Sequence, residues 1–253
     1  MGKLSVHQAC LLATKEPPDC YSLMQNPFHS IRQQYTRGTL SEEQVDRDPV
    51  KQLELWIKEA MEAECPEPTA MILSTTGTDL RPSSRVVLMK GLDEHGITFF
   101  TNYDSRKGHQ LASNPYASLL FFWPDLERQV RIEGAVERVS KMESDNYYDS
   151  RPEQSRISAA VSPQSQEISS RRWLEEEIKA QGSRLEAQVK AQGSRFKAQG
   201  KDEGVSIERP ENWGGYRLIL EYFEFWQGGA DRLHDRIIYI WTGSDWRIAR
   251  LAP

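Results

Sequence analysis

The stretch MILSTTGTDLRPSSRVVLMKGLDEHGITFFT, residues 71–101, alternates short runs of β-branched and aromatic residues with turn-forming clusters. Met71–Thr75, Ser84–Lys90 and Ile97–Thr101 read as strands, and Thr76-Gly77-Thr78-Asp79 and Asp93-Glu94-His95-Gly96 supply turns between them. Parallel neighbours need crossovers of about a dozen residues or more, so spacing this close implies antiparallel pairing. Downstream, Ala117–Trp123 and Gln129–Val139 continue the pattern. Helical patterns then occupy Lys141–Ser150 and Ser169 to about Lys190, before a β-rich stretch from Tyr216 to Leu251. Upstream, Asp48-Pro49 is a helix start: the carboxylate caps free amides, and proline at the first position forfeits no hydrogen bond. Val50, Leu53, Trp56, Ile57, Ala60 and Met61 then form one apolar stripe until Pro66 and Pro68 end it. The expected class is α+β, an antiparallel β-barrel with flanking helices.

At 253 residues the chain is long enough for one such domain. Residues 1–28, with Pro17, Pro18 and Pro27, are expected to be a disordered lead-in, leaving 29–253 as the folded unit. A net charge of -5 argues against a general nucleic-acid or anionic-membrane binder, so any phosphate site must be local. Cys10, Cys20 and Cys65 suit neither a disulfide framework nor a metal site, and reduced thiols in a cytoplasmic protein are expected. No apolar run is long enough to span a bilayer, and the mean hydropathy is -0.66. KAQGSRLEAQV from Lys179 is followed at once by KAQGSRFKAQG from Lys190, a tandem duplication of nearly three helical turns. The expectation is a solvent-exposed insert at about 179–204.

P-loop, GxGxxG, HExxH and GxSxG motifs are absent. Four segments nevertheless concentrate polar chemistry. Ser105-Arg106-Lys107-Gly108 opens a short helix closed at Asn114-Pro115, and a helix start beside two cations suits a phosphate; a solvated basic turn is the alternative. RVVLMK, 85–90, carries a cation at each end, and period-two geometry puts Arg85 and Lys90 on opposite faces unless a bulge intervenes. In RQVRIEG from Arg128, Val130 and Ile132 face the core while Gln129 offers its amide from the other side. In RLHDRI, an extended backbone would put Arg232, His234 and Arg236 on one face and Leu233, Asp235 and Ile237 on the other, a binding face or a surface ion-pair ladder.

Taken in order, SRVVLMKG, FFTNYDSRKG, RQVRIEG, YYDSRP, SPQSQ, NWGGYRL, FWQG, RLHDR and RLAP resemble the pyridoxine 5'-phosphate oxidase family from about Ile31 to Pro253. The resemblance implies an FMN-binding split barrel, a homodimer with sites at its interface, and oxidation of pyridoxine or pyridoxamine 5'-phosphate by O2. On it, Arg85, Thr101, Arg106, Lys107 and Ser165 hold the FMN phosphate. Val86, Val87, Leu88 and Phe100 contribute the backbone or apolar part of the flavin site, and Gln129, Gln164, Trp226 and Arg236 address the flavin ring. Lys90, Tyr147, Arg151 and Ser155 take the substrate phosphate. Arg232 and His234 meet the pyridine ring as the catalytic pair, with Leu233 between them in the substrate segment. Arg32 and Tyr35 resemble a mobile segment covering the substrate. Pro163 departs from the histidine common in relatives, and the duplication lengthens the connection before Asn212. A split-barrel flavin reductase and a non-catalytic flavin or pyridoxal-phosphate binder are the alternatives.

Overall fold

The structure is a computed structural model that describes residues 34–197 and 207–253. The Asp48 Oδ1 carboxylate accepts from the Val50 amide at 2.9 Å and starts α1, Pro49–Glu62, as its residue types dictate. Leu53, Trp56, Ile57 and Ala60 are buried beneath it. Met61 is 59% exposed, so the stripe is narrower than the spacing suggests.

The strands that follow are β1 (Ala70–Thr76), β2 (Pro82–Leu88), β3 (Gly91–Asp93), β4 (Gly96–Asn102), β5 (Tyr116–Trp123) and β6 (Arg128–Arg138), with α2 (Arg106–Ser113) between β4 and β5. After β6 come α3 (Lys141–Asp149), α4 (Glu153–Val161) and α5 (Arg171–Lys197), then β7 (Trp213–Leu218), β8 (Tyr222–Gln227), β9 (Asp235–Trp241) and β10 (Trp246–Arg250). Every pairing is antiparallel.

β6 decides the architecture. Its first half lies between β5 and β8, with Val130 opposite both Phe121 and Phe225. Its end turns away to pair with β7, and β7 continues to β4. The Lys90 amide donates to the Thr98 carbonyl at 2.8 Å and ties the end of β2 to β4, so the sheet curls into a split barrel. Gly134 sits where β6 changes partners, and a Cβ there would lie 1.8 Å from the Ile219 carbonyl oxygen. No larger residue permits that crossing. Leu73, Leu119, Phe121, Val130, Ile132, Phe223, Phe225, Ile237 and Tyr239 are fully buried inside, and Trp56 of α1 meets Phe225 edge-on at 5.2 Å. Burying each such side chain stabilises the fold by about 1.5–3 kcal/mol.

The antiparallel split barrel with flanking helices thus agrees with the sequence reading. A second, smaller core joins Tyr148, Ile157 and Trp213, with Ile178 of α5 packed against it. The first copy of the duplication lies wholly within α5, and its residues 180–182 are half-buried, where Gly182 faces Ile157 of α4. Lys179, Ser183 and Arg184 on either side of them are exposed. The lead-in 1–28, Arg32, Cys10, Cys20 and residues 198–204 of the insert lie outside the described residues. Cys65 is buried as a free thiol, and its desolvation raises its pKa. Among the described residues no helix is long and apolar enough to cross a membrane.

Candidate active site

β2, β4, the start of α2 and the α3–α4 region converge on a cavity of about 480 Å³. Arg85, Val86, Val87 and Leu88 line it from β2, Phe100 and Thr101 from β4, and Lys107 from α2. Lys90, Tyr147, Arg151, Ser155 and Gln164 complete most of the wall. Arg85, Thr101 and Lys107 of the one proposed phosphate set thus share a cavity with all four residues of the other. Exposure alternates through residues 85–90 as period-two geometry requires, with Arg85 half-buried and Lys90 exposed, yet both line the cavity. The wall holds four cations, Arg85, Lys90, Lys107 and Arg151, and no carboxylate.

Half-buried Arg85 and buried Lys107 have only neutral hydrogen-bond partners. Arg85 donates through Nη1 to Thr75 Oγ1 at 2.6 Å and the Leu73 carbonyl at 3.2 Å, and through Nη2 to Ser83 Oγ at 2.6 Å. Lys107 Nζ donates to Thr101 Oγ1 at 3.0 Å, Gln164 Oε1 at 2.9 Å and Ser105 Oγ at 3.4 Å. Ser105 caps α2, and its Oγ accepts from the Gly108 amide at 3.3 Å, which fixes the helix start beneath the lysine. Burial, helped by the Arg85 charge, pushes the Lys107 ammonium down to about 8. Burial and the Arg106 charge lower Arg85 as well. Cations so placed without counter-ions are electrostatically costly, and an anionic ligand relieves that cost.

On the opposite part of the wall, Tyr147 stacks on Phe100 at 3.8 Å, and Arg151 lies over the Trp213 ring at 4.7 Å. Arg151 Nη1 is buried without a hydrogen-bond partner among the described residues. Trp213 is a lining residue that the sequence reading did not single out, although NWGGYRL carried its signal. The glycines beside it permit close packing: a Cβ on Gly214 would lie 2.1 Å from the Tyr103 hydroxyl. Arg106 and Ser165 open instead on a neighbouring cavity of about 600 Å³, which Gln110 also lines. Ser165 has a left-handed backbone, φ 69°, in the Pro163–Gln166 turn, where the Gln166 amide donates to the Pro163 carbonyl at 3.0 Å.

The remaining candidates form a separate group. Gln129, Trp226 and Arg236 are cross-strand neighbours on β6, β8 and β9. The His234 ring lies 4.7 Å from Trp226, and Tyr35 stands edge-on to both at 5.5 and 5.7 Å. Glu127 holds Tyr35 there by accepting the Thr36 and Arg37 amides at 2.8 and 3.0 Å. His234 Nδ1 accepts from the Gly229 amide at 3.2 Å, which leaves the ring proton of the neutral form on Nε2. Arg236 is paired with Glu224 Oε1 at 2.8 Å and donates to the Ala252 carbonyl at 2.8 Å.

RLHDR is not the regular strand its sequence suggests. Ala230–Arg232 forms a 3-10 turn, Asp231 and Arg232 are left-handed at φ 53° and 65°, and β9 begins only at Asp235. The common face of Arg232, His234 and Arg236 is therefore lost at Arg232. Leu233 is 73% exposed rather than turned inward to the core. None of this second group lines the cavity of Arg85 and Lys107 within one chain.

An antiparallel split barrel carrying a carboxylate-free cationic cavity is suited to anionic ligands. Residues 57–182 match the family described as pyridoxamine 5'-phosphate oxidase, and residues 213–253 match the pyridoxine 5'-phosphate oxidase C-terminal dimerisation region. The chain is 51% identical over 223 residues to a pyridoxine/pyridoxamine 5'-phosphate oxidase of Polynucleobacter asymbioticus, covering 88% of this chain and 97% of that one. A protein of the same description from Verminephrobacter eiseniae is 49% identical over the same shares. Among solved structures, PhzG from Burkholderia lata, in complex with tetrahydrophenazine-1-carboxylic acid, superposes with a TM-score of 0.71 at 30% identity, covering 85% of this chain and 98% of that one. The chain belongs to the pyridoxamine 5'-phosphate oxidase family, and it is an enzyme of that family.

Proposed function

We propose that the protein is an FMN-dependent oxidase that converts pyridoxine or pyridoxamine 5'-phosphate into pyridoxal 5'-phosphate, with O2 reduced to hydrogen peroxide. The observation that carries this reading is the single cavity with four cations and no carboxylate. That donor set suits two phosphate groups, one on the cofactor and one on the substrate. When bound, FMN supplies a two-electron acceptor that O2 can regenerate.

The rest belongs to the protein. Arg85, Thr101 and Lys107 would bind the cofactor phosphate, with Arg106 and Ser165 adding charge and hydrogen bonds from the adjoining cavity. Val86–Leu88, Phe100 and Gln164 would flank the flavin. Lys90, Tyr147, Arg151 and Ser155 would seat the substrate phosphate, where the unpartnered Arg151 Nη1 gains its acceptor.

The second group enters as the partner subunit's contribution. A homodimer, in keeping with the dimerisation region matched at 213–253, would bring Gln129, Trp226 and Arg236 to the flavin ring. It would likewise bring Arg232, Leu233 and His234 to the pyridine ring, beneath Tyr35 and the preceding Arg32. His234, with its Nδ1 engaged by Gly229, can present only Nε2 to a substrate alcohol or amine. A cytoplasmic site of action completes the reading.

Anaerobic mixing with pyridoxine 5'-phosphate tests it. The oxidised-flavin absorbance should disappear and return on admitting air, with one pyridoxal 5'-phosphate formed per cycle. The PhzG likeness favours a second reading, a carboxylate-bearing polycyclic substrate. A carboxylate leaves the Lys90 and Arg151 pair in excess, and bleaching by such a compound but not by the phosphate ester would decide for it.

A further inference from the structure

The hydrogen bonds around Arg85 end on a residue to which no ligand has been assigned above. Gln110 of α2 is 7% exposed, and its Oε1 accepts from Thr75 Oγ1 at 2.7 Å, Ser83 Oγ at 2.8 Å and Arg85 Nη2 at 3.4 Å. A guanidinium only donates, so the atom facing Arg85 is the amide oxygen. Thr75 and Ser83 each have a single hydroxyl hydrogen. With that hydrogen committed to Gln110, their lone pairs remain for the two Arg85 nitrogens at 2.6 Å each.

We infer that Gln110 is a positioning residue that aims the Arg85 guanidinium at an anionic phosphate without neutralising it. This inference rests on reading the cavity as the FMN phosphate site. An aspartate or glutamate would orient Arg85 equally well, but it would form an ion pair and compete with the ligand for the same charge. A neutral amide directs two hydroxyls from two strands toward Arg85 and leaves the full positive charge for the ligand. The acceptors around Lys107 follow the same rule: Thr101, Ser105 and Gln164 are all neutral.

The consequence is specific to the phosphate end of the cofactor. Gln110→Leu removes the common acceptor and frees both hydroxyl hydrogens to turn against Arg85. Gln110→Glu keeps an acceptor but adds the competing charge. Ser83→Ala, at the half-buried end of the network, removes one relay with less risk to folding.

The test titrates the flavin-free full-length chain with FMN and with riboflavin, which lacks the phosphate, reading flavin fluorescence. The wild type should prefer FMN. Gln110→Leu and Gln110→Glu should each reduce that preference by roughly 10- to 100-fold, the range for lost hydrogen bonds to a charged group, with riboflavin affinity and Tm retained. Ser83→Ala should reduce it by less. A wild type that prefers FMN beside variants that keep the full preference would overturn the role of Gln110. Equal losses for FMN and riboflavin would overturn it too, since they mark a general packing role. A wild type without preference would overturn the phosphate reading of the cavity and this inference with it.

Discussion

Raising the pH should weaken FMN binding through one residue. Lys107 is buried against neutral acceptors beside Arg85, and its pKa stands at about 8 against an ordinary 10.5. Between these values the folded, ligand-free chain holds fewer protons at this site than the unfolded chain does. Its stability therefore rises with pH through that window, and the cost of the buried charge is fully present below it. A bound phosphate dianion restores the ammonium, so above pH 8 binding must take up a proton. The Kd should then rise about tenfold per pH unit, up to a ceiling of roughly 300-fold if the bound lysine returns to its ordinary value. Fluorescence titrations from pH 7 to 10, with riboflavin alongside, provide the assay. Titration of the flavin ring enters both ligands and cancels in their ratio, and the second phosphate ionisation, near about 6, lies below the range. Lys107→Met should bind more weakly at pH 7 and show no slope. A flat wild-type ratio, or the same slope in Lys107→Met, would refute the reasoning.

Arg151→Ala should lower kcat/KM for pyridoxine 5'-phosphate by roughly 10- to 100-fold, while steady-state assays beside absorbance spectra show flavin retained. Leu233→Ala should change stability by no more than about 0.5 kcal/mol in urea melts, whereas Phe225→Ala, fully buried, should cost about 3–5 kcal/mol. Excising residues 190–200 should leave turnover and flavin content within about twofold of the intact chain; a severe loss with folding preserved would give the second copy a role in the site.

The barrel was legible because its strands carry apolar residues at period two and turn residues between them. Val130 and Ile132 are both fully buried, as the alternation in RQVRIEG requires. α2 was legible from Ser105 and from Asn114-Pro115, which mark its ends. α4 was not, because it buries only Ile157 and so leaves little periodic signal. At Arg232 the backbone is set by a turn with two left-handed residues, neither of them glycine, and side-chain alternation cannot show that. That Arg85 and Lys90 line one cavity despite their alternating exposure depends on how the end of β2 meets β4, which strand parity cannot show. Gln110 escaped notice because a glutamine in a short amphipathic helix has no local mark of what it will meet across the barrel. The family likeness assembled residues that one chain keeps apart, since His234 and Lys107 lie in separate groups.

The eleven-residue unit that occupies 179–189 in α5 and recurs in the sequence from Lys190 has a geometric property that its glycines obscure. Eleven residues make about three turns and return the helix face to within about 20° of where it began, while advancing it by about 16 Å. Adding or deleting one whole unit therefore preserves which side of the rod is turned toward α4, whereas a single inserted residue would rotate that side by about 100°. The connection between α4 and β7 can thus change length in discrete steps without re-sorting the contact that Gly182 makes with Ile157.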